Sequence, residues 1–125
     1  MCEIFVSTDP ALYEQRTRSI RLHGAVTSVR LEEMFWRTLE EIGARDGMNV
    51  SQLLCTLHDE IEALRGNVDN FASFLRVCCL RYQALQISGG IPSDNAVSIR
   101  GLNARQVLRS LDSAHWQVQP EAANA

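Results

Sequence analysis

TSVRLEEMFWRTLEEIGARDGMNVSQLL, residues 27–54, changes its hydrophobic period once. Up to Leu31, apolar and polar residues alternate, the pattern of a strand buried on one face. After Leu31 the period becomes helical. Phe35, Leu39 and Ile42 recur at i, i+4 and i+7 with Met34 and Trp36 beside them, and Glu32 and Glu33 fall in a first turn, where they complement the helix dipole. Gly47 ends this helix as a C′ glycine. Asn49 with Gln52 three residues on predicts a capping box, and Val50, Leu53, Leu54, Leu57, Ile61 and Leu64 form the apolar stripe of a second helix closed by Gly66.

Upstream, Arg18 to Leu22 alternates in the same way, and RSIRLHGAVTSVRL (18–31) nearly repeats itself, SIRL then SVRL, around the turn signal His23-Gly24. Glu3 to Val6 is β-prone, and Asp9-Pro10 can open one or two helical turns over Ala11 to Gln15. Downstream, Asp69 or Asn70 caps a third helix over Phe71, Phe74, Leu75, Cys78, Tyr82 and Leu85. Ser88 to Asn95 reads as a turn-rich linker, Val97 to Arg100 as extended, Asn103 to Leu111 as a short helix, and the terminal QPEAANA as disordered. The expected organisation is an N-terminal extension over 1–15, a folded domain over 16–86, and a linker with a short helix and tail over 87–125.

With 125 residues, 46% of them apolar, the chain suits one soluble domain with no bilayer span. Glu3 and the absence of a basic leader argue against export, and Cys2, Cys55, Cys78 and Cys79 make no disulfide framework, so a reduced cytoplasmic setting is expected. The net charge of −3 is unevenly spread. From Tyr13 to Arg30, Arg16, Arg18, Arg21 and Arg30 face only Glu14, whereas Leu31 to Arg65 carries eight acids against three arginines. All twelve basic residues are arginine, which codon usage explains; the asymmetry is the functional signal, a basic patch on an acidic body.

A lone strand before two helices needs a partner for its backbone. Two copies can supply it by pairing their strands antiparallel, with the helices clasped beneath. Thr27, Val29 and Leu31 then pack inward, while Val26, Ser28 and Arg30 point out from a ribbon of the width of the DNA major groove. At these residues the chain resembles the ribbon-helix-helix DNA-binding family, to which the Arc and methionine repressors belong. The likeness covers residues 27–54 and, more loosely, the rest to Leu85; RSIRLHG and NFASFLRVCCLRY resemble a bacterial subfamily extended at both ends.

The fold this implies is mainly α with a short β-ribbon. It is a β-α-α intertwined homodimer with an extra N-terminal strand and a third C-terminal helix. The resemblance makes Ser28 and Arg30 base readers and gives a phosphate to the helix N-terminus at Asn49, Val50 and Ser51. Val26 stands where the family carries a polar reader, and could at most touch a thymine methyl. Arg18 and Arg21 would grip phosphates, from a hairpin strand or from a basic arm. Val29, Leu31, Phe35, Trp36, Leu39, Leu53 and Leu57 form the expected core of the dimer.

Those residues predict a homodimeric transcriptional repressor, with higher oligomers on DNA left open. A second class stays open too: an antitoxin-like interaction module whose residues 69–125 bind a partner protein. Cys55, His58 and Glu62 share a flank at i, i+3 and i+7 and are sound Zn²⁺ or Ni²⁺ ligands, but no fourth local ligand accompanies them, and only Cys2 or His23 from a partner chain could complete the set. No cofactor or metal is expected. With no phosphate-binding glycine loop, G-x-S-x-G or H-E-x-x-H, neither is an enzyme.

Overall fold

The computed structural model describes residues 2–111, so the expected disorder of QPEAANA lies outside the described residues. The elements run α1 (Cys2–Val6), a 3₁₀ turn (Pro10–Tyr13), β1 (Gln15–Leu22), β2 (Ala25–Glu32), α2 (Glu33–Ala44), α3 (Val50–Arg65), α4 (Phe71–Ile87) and α5 (Ala104–Arg109). The fold is mainly helical around a two-stranded antiparallel sheet. No helix of the described residues is long and apolar enough to cross a membrane.

Leu22 and Ala25 are joined through His23 (φ 50°) and Gly24 (φ 84°). Two successive positive φ values make the type I′ turn whose twist suits a hairpin; Gly24 adopts it freely and His23 is among the residues that tolerate it. Thus the segment before β2 is a hairpin strand and not a free arm. The pairing sets Thr17 opposite Arg30, Ser19 opposite Ser28, and Arg21 opposite Val26.

Ile20, Leu22, Val29 and Leu31 face the helices and are buried with Trp36, Leu39, Val50, Leu53, Leu54, Leu75 and Cys79. Trp36, Leu31 and Leu39 are fully buried within one chain, and the indole N–H of Trp36 donates to the Arg16 carbonyl at 2.9 Å. Phe35 and Leu57 are only partly covered. Gly43 allows α2 and α3 to meet closely, since a Cβ there would stand 2.8 Å from the Met48 carbonyl oxygen. Asn49 and Gln52 form the expected reciprocal capping box, and Gly66 ends α3 at φ 80°.

Four local expectations fail. Glu3 to Val6 is helical and wholly exposed: with no strand beside it among the described residues, a helix satisfies its backbone internally. Glu32 ends β2 instead of opening α2, and its carboxylate goes to Arg76 at 2.9 Å. Asn70 stands at the N-cap of α4 but its side chain makes no capping bond. Val97 to Arg100 is not a strand; the Val97 N–H bonds the Asp94 carbonyl, and Ser98 Oγ and the Arg100 N–H donate to Asp46.

Residues 88–111 pack as a second small layer. Ile91 and Leu111 are buried against Tyr82, Ala84 and Leu85, with Ile42, Ile99, Leu102 and Val107 around them. A single buried charge fastens it. Arg45 is 6% exposed and donates to the carbonyls of Val97 (2.9 Å), Pro92 (2.8 Å) and Asp94 (2.9 Å) and to the Tyr82 hydroxyl (3.0 Å). Tyr82 in turn donates to Glu41 at 2.5 Å.

Candidate nucleic-acid interface

The hairpin's outer face carries Thr17, Ser19 and Arg21 from β1 and Val26, Ser28 and Arg30 from β2, all exposed. Alternation of side chains puts these six on the side opposite Ile20, Leu22, Val29 and Leu31. Among the described residues neither Arg21 nor Arg30 has a carboxylate partner. Arg21 reaches only the Gly24 carbonyl, at a marginal 3.5 Å. The acid at the end of the outward row, Glu32, is neutralised by Arg76, and Gln15 donates to it at 3.3 Å. The Arg76 bond first, and a backbone hydrogen bond next, hold the Glu32 carboxyl below its ordinary pKa.

Arg18, expected beside Arg21, is on the other side. Its parity is that of Ile20 and Leu22, its guanidinium meets Glu40 at 2.7 Å, and it lies 4.8 Å from the Trp36 ring centroid. Arg16 likewise turns to Glu33 at 3.3 Å. The doubled phrase SIRL/SVRL therefore leaves one arginine of each copy, Arg21 and Arg30, on the open face. Arg18 does share a surface depression with Asn49, Val50 and Ser51 at the start of α3. There the capping box uses the N–H groups of Asn49 and Gln52, so the ones with no helical partner belong to Val50 and Ser51.

Cys55, His58 and Glu62, the flank whose residue types suit a metal, are not brought together as one ligand group among the described residues. His58 stacks edge-on against Phe71 with ring centroids 5.2 Å apart, its Nδ1 buried and unpaired. Cys55 instead meets Asp59 of its own helix and His23 of the hairpin turn. Asp59 lies one turn beyond Cys55, a spacing visible in the sequence; His23 could be placed only by folding the hairpin onto α3. Arg45 was likewise not to be singled out from sequence, because every group it binds is nonlocal.

A basic, polar sheet face backed by two helices joined through a tight turn defines a class of nucleic-acid-facing module built on strands. The chain belongs to the ribbon-helix-helix family, a family of DNA-binding regulators: the model of the ribbon-helix-helix domain matches residues 15–83. It is similar to a solved structure, that of an uncharacterized protein from Bordetella pertussis Tohama I, with 55% identity over 96% of this chain and 95% of that one and a TM-score of 0.88. No curated protein matches the chain.

Proposed function

We propose that the protein is a sequence-specific, cytoplasmic DNA-binding repressor of transcription that acts as a homodimer, without enzymatic activity. The observation that carries this reading is the outer face on which Arg21, Ser28 and Arg30 stand exposed, with no carboxylate partner for either arginine among the described residues and with its one acid, Glu32, taken up by Arg76. Pairing the open edge of β2 with its copy around a two-fold axis yields a sheet ordered β1-β2-β2-β1. Four strands about 4.8 Å apart span roughly 14 Å, more than the ~12 Å major groove. The two central strands then enter the groove, and the flanking ones meet its walls.

That geometry divides the labour. Arg30 of β2 makes the bidentate contact to guanine, Ser28 adds a looser hydrogen bond, and Val26 at most covers a thymine methyl. Arg21 of β1 meets phosphate. The free N–H groups of Val50 and Ser51 at the start of α3 hold another phosphate. Phe35 and Leu57, half-covered in one chain, complete their burial in the dimer.

A second reading, protein-partner binding through residues 69–125, is favoured by one feature. Val77 and Leu80 are 60% and 53% exposed on α4 beside Arg81, Ala84 and Leu111, an apolar depression on the side chains of the third helix. Binding to genomic DNA fragments followed against salt separates the two. The DNA reading requires log affinity to fall linearly with log salt and Arg30→Ala to lose discrimination at one base position. Undetectable binding at low salt, with a protein retained by α4, supports the partner reading instead.

A further inference from the structure

His23 and the pair Cys55 and Asp59 come from separate elements and meet where the hairpin turn leans on α3. One ligand atom from each, an imidazole nitrogen, a thiol sulfur and a carboxylate oxygen, lies within 4.8 Å of the other two. Cys55 and Asp59 are one helical turn apart and so share a flank. His23 Nε2 contacts Asp59 Oδ1 directly. Ligand atoms around tetrahedral zinc stand roughly 3.3–3.8 Å apart, as bonds of about 2.0–2.3 Å require. Closing this triangle therefore takes side-chain shifts of about 1 Å, by groups that are exposed or half-exposed.

We propose that His23, Cys55 and Asp59 form a Zn²⁺ site that clamps the hairpin turn to α3. The donor set selects the ion: sulfur and imidazole suit zinc, whereas Mg²⁺ and Ca²⁺ ask for oxygen throughout. Three protein ligands leave a fourth position for water or an added ligand. Cys55 is the thiol available there. Burial pushes Cys78 up to about 11 and Cys79 to about 12, so both stay protonated, and only a thiolate ligates. His23 follows Arg21 by two residues, so zinc would stiffen the strand end that presents that arginine.

The test uses the full chain carrying Cys2→Ser, which removes the exposed thiol outside the cluster. Titration with Co²⁺ is expected to give a thiolate-to-cobalt charge-transfer band saturating at one metal per chain and displaced by Zn²⁺. Cys55→Ser should eliminate the band. His23→Asn, which keeps a residue tolerant of positive φ, and Asp59→Asn should each weaken zinc binding by at least about tenfold, with circular dichroism showing the fold retained. Zinc should raise the melting temperature of the Cys2→Ser parent and leave that of His23→Asn unchanged. No band, a band that survives Cys55→Ser, or zinc affinity unaltered by His23→Asn would overturn the site. DNA binding in metal-free buffer is a separate readout, which Cys55→Ser should leave intact.

Discussion

Arg30 and Arg45 are the same side chain put to opposite uses in two regions of one small chain. Arg45, between α2 and α3, is buried and spends its donors on three carbonyls and a tyrosine hydroxyl, tying residues 92–97 to the helices. Arg30, on the outer face of the hairpin, is exposed and meets no carboxylate among the described residues. A buried guanidinium is kept only where its N–H groups are satisfied by fixed acceptors. An exposed one left without acids beside it is available to an anionic partner. The C-terminal layer is held by using up an arginine, and the ribbon is fitted for binding by sparing two.

The largest effect is expected from removing the buried arginine. Arg45→Ala strands three part-buried carbonyls and the buried Tyr82 hydroxyl and should cost roughly 2–4 kcal/mol, read as a lower midpoint in urea unfolding. Arg45→Lys should recover only part of it, since an ammonium cannot span the same acceptors. An unchanged midpoint in Arg45→Ala would break the contrast at its buried end.

At the exposed end, Arg30→Ala should leave the unfolding midpoint within about 0.5 kcal/mol and lower discrimination at one base position by about 1–3 kcal/mol. Fluorescence anisotropy on single-base operator variants checks this. Arg21→Ala should weaken all sequences alike and reduce the salt slope by about 1. Arg18→Ala sharpens the comparison within a single strand. Because its guanidinium is engaged by Glu40 and Trp36, it should change the slope less than Arg21→Ala. Its stability cost should be near 0.5–1 kcal/mol, small because the pair with Glu40 is partly solvent-screened.

The smallest expected effect is on pH dependence. The folded-state pKa of Glu32 is depressed, so its contribution to stability is full above the ordinary carboxyl value of 4.5 and is lost as pH falls through the lower folded value. Unfolding midpoints of wild type and Glu32→Gln should therefore converge in acid. Curves that stay parallel would show that the Arg76 bond does not hold in solution.

How far the sequence could be read depended on whether the signal was local. The switch from strand to helix, the Asn49/Gln52 box and the αL glycines 47 and 66 are contained in a few residues; the box and the glycines appear where they were expected, and the switch falls one residue later, after Glu32. Alternation placed Val29 and Leu31 inward and Val26, Ser28 and Arg30 outward; Thr27, expected to pack inward with the first two, is exposed. Arg18 was misplaced by treating RSIRL (18–22) as one basic unit, although residues three apart in a strand must face opposite ways. The apolar Ile4-Phe5-Val6 run suggested a strand, yet strand pairing needs a neighbour and none lies beside it among the described residues. Ser88 to Asn95 had linker composition, but what orders it is Arg45, which lies far away in the chain.

The central claim is that the outer face of the hairpin reads DNA through Arg30. Genome-wide DNA capture with the tagged full chain, run beside Arg30→Ala, tests it most directly. The account predicts that captured fragments share a two-fold symmetric motif and that Arg30→Ala loses its preference at one position of each half-site while remaining folded. Recovery of the same motif with Arg30→Ala would contradict it, as would a wild-type chain that enriches no sequence at all.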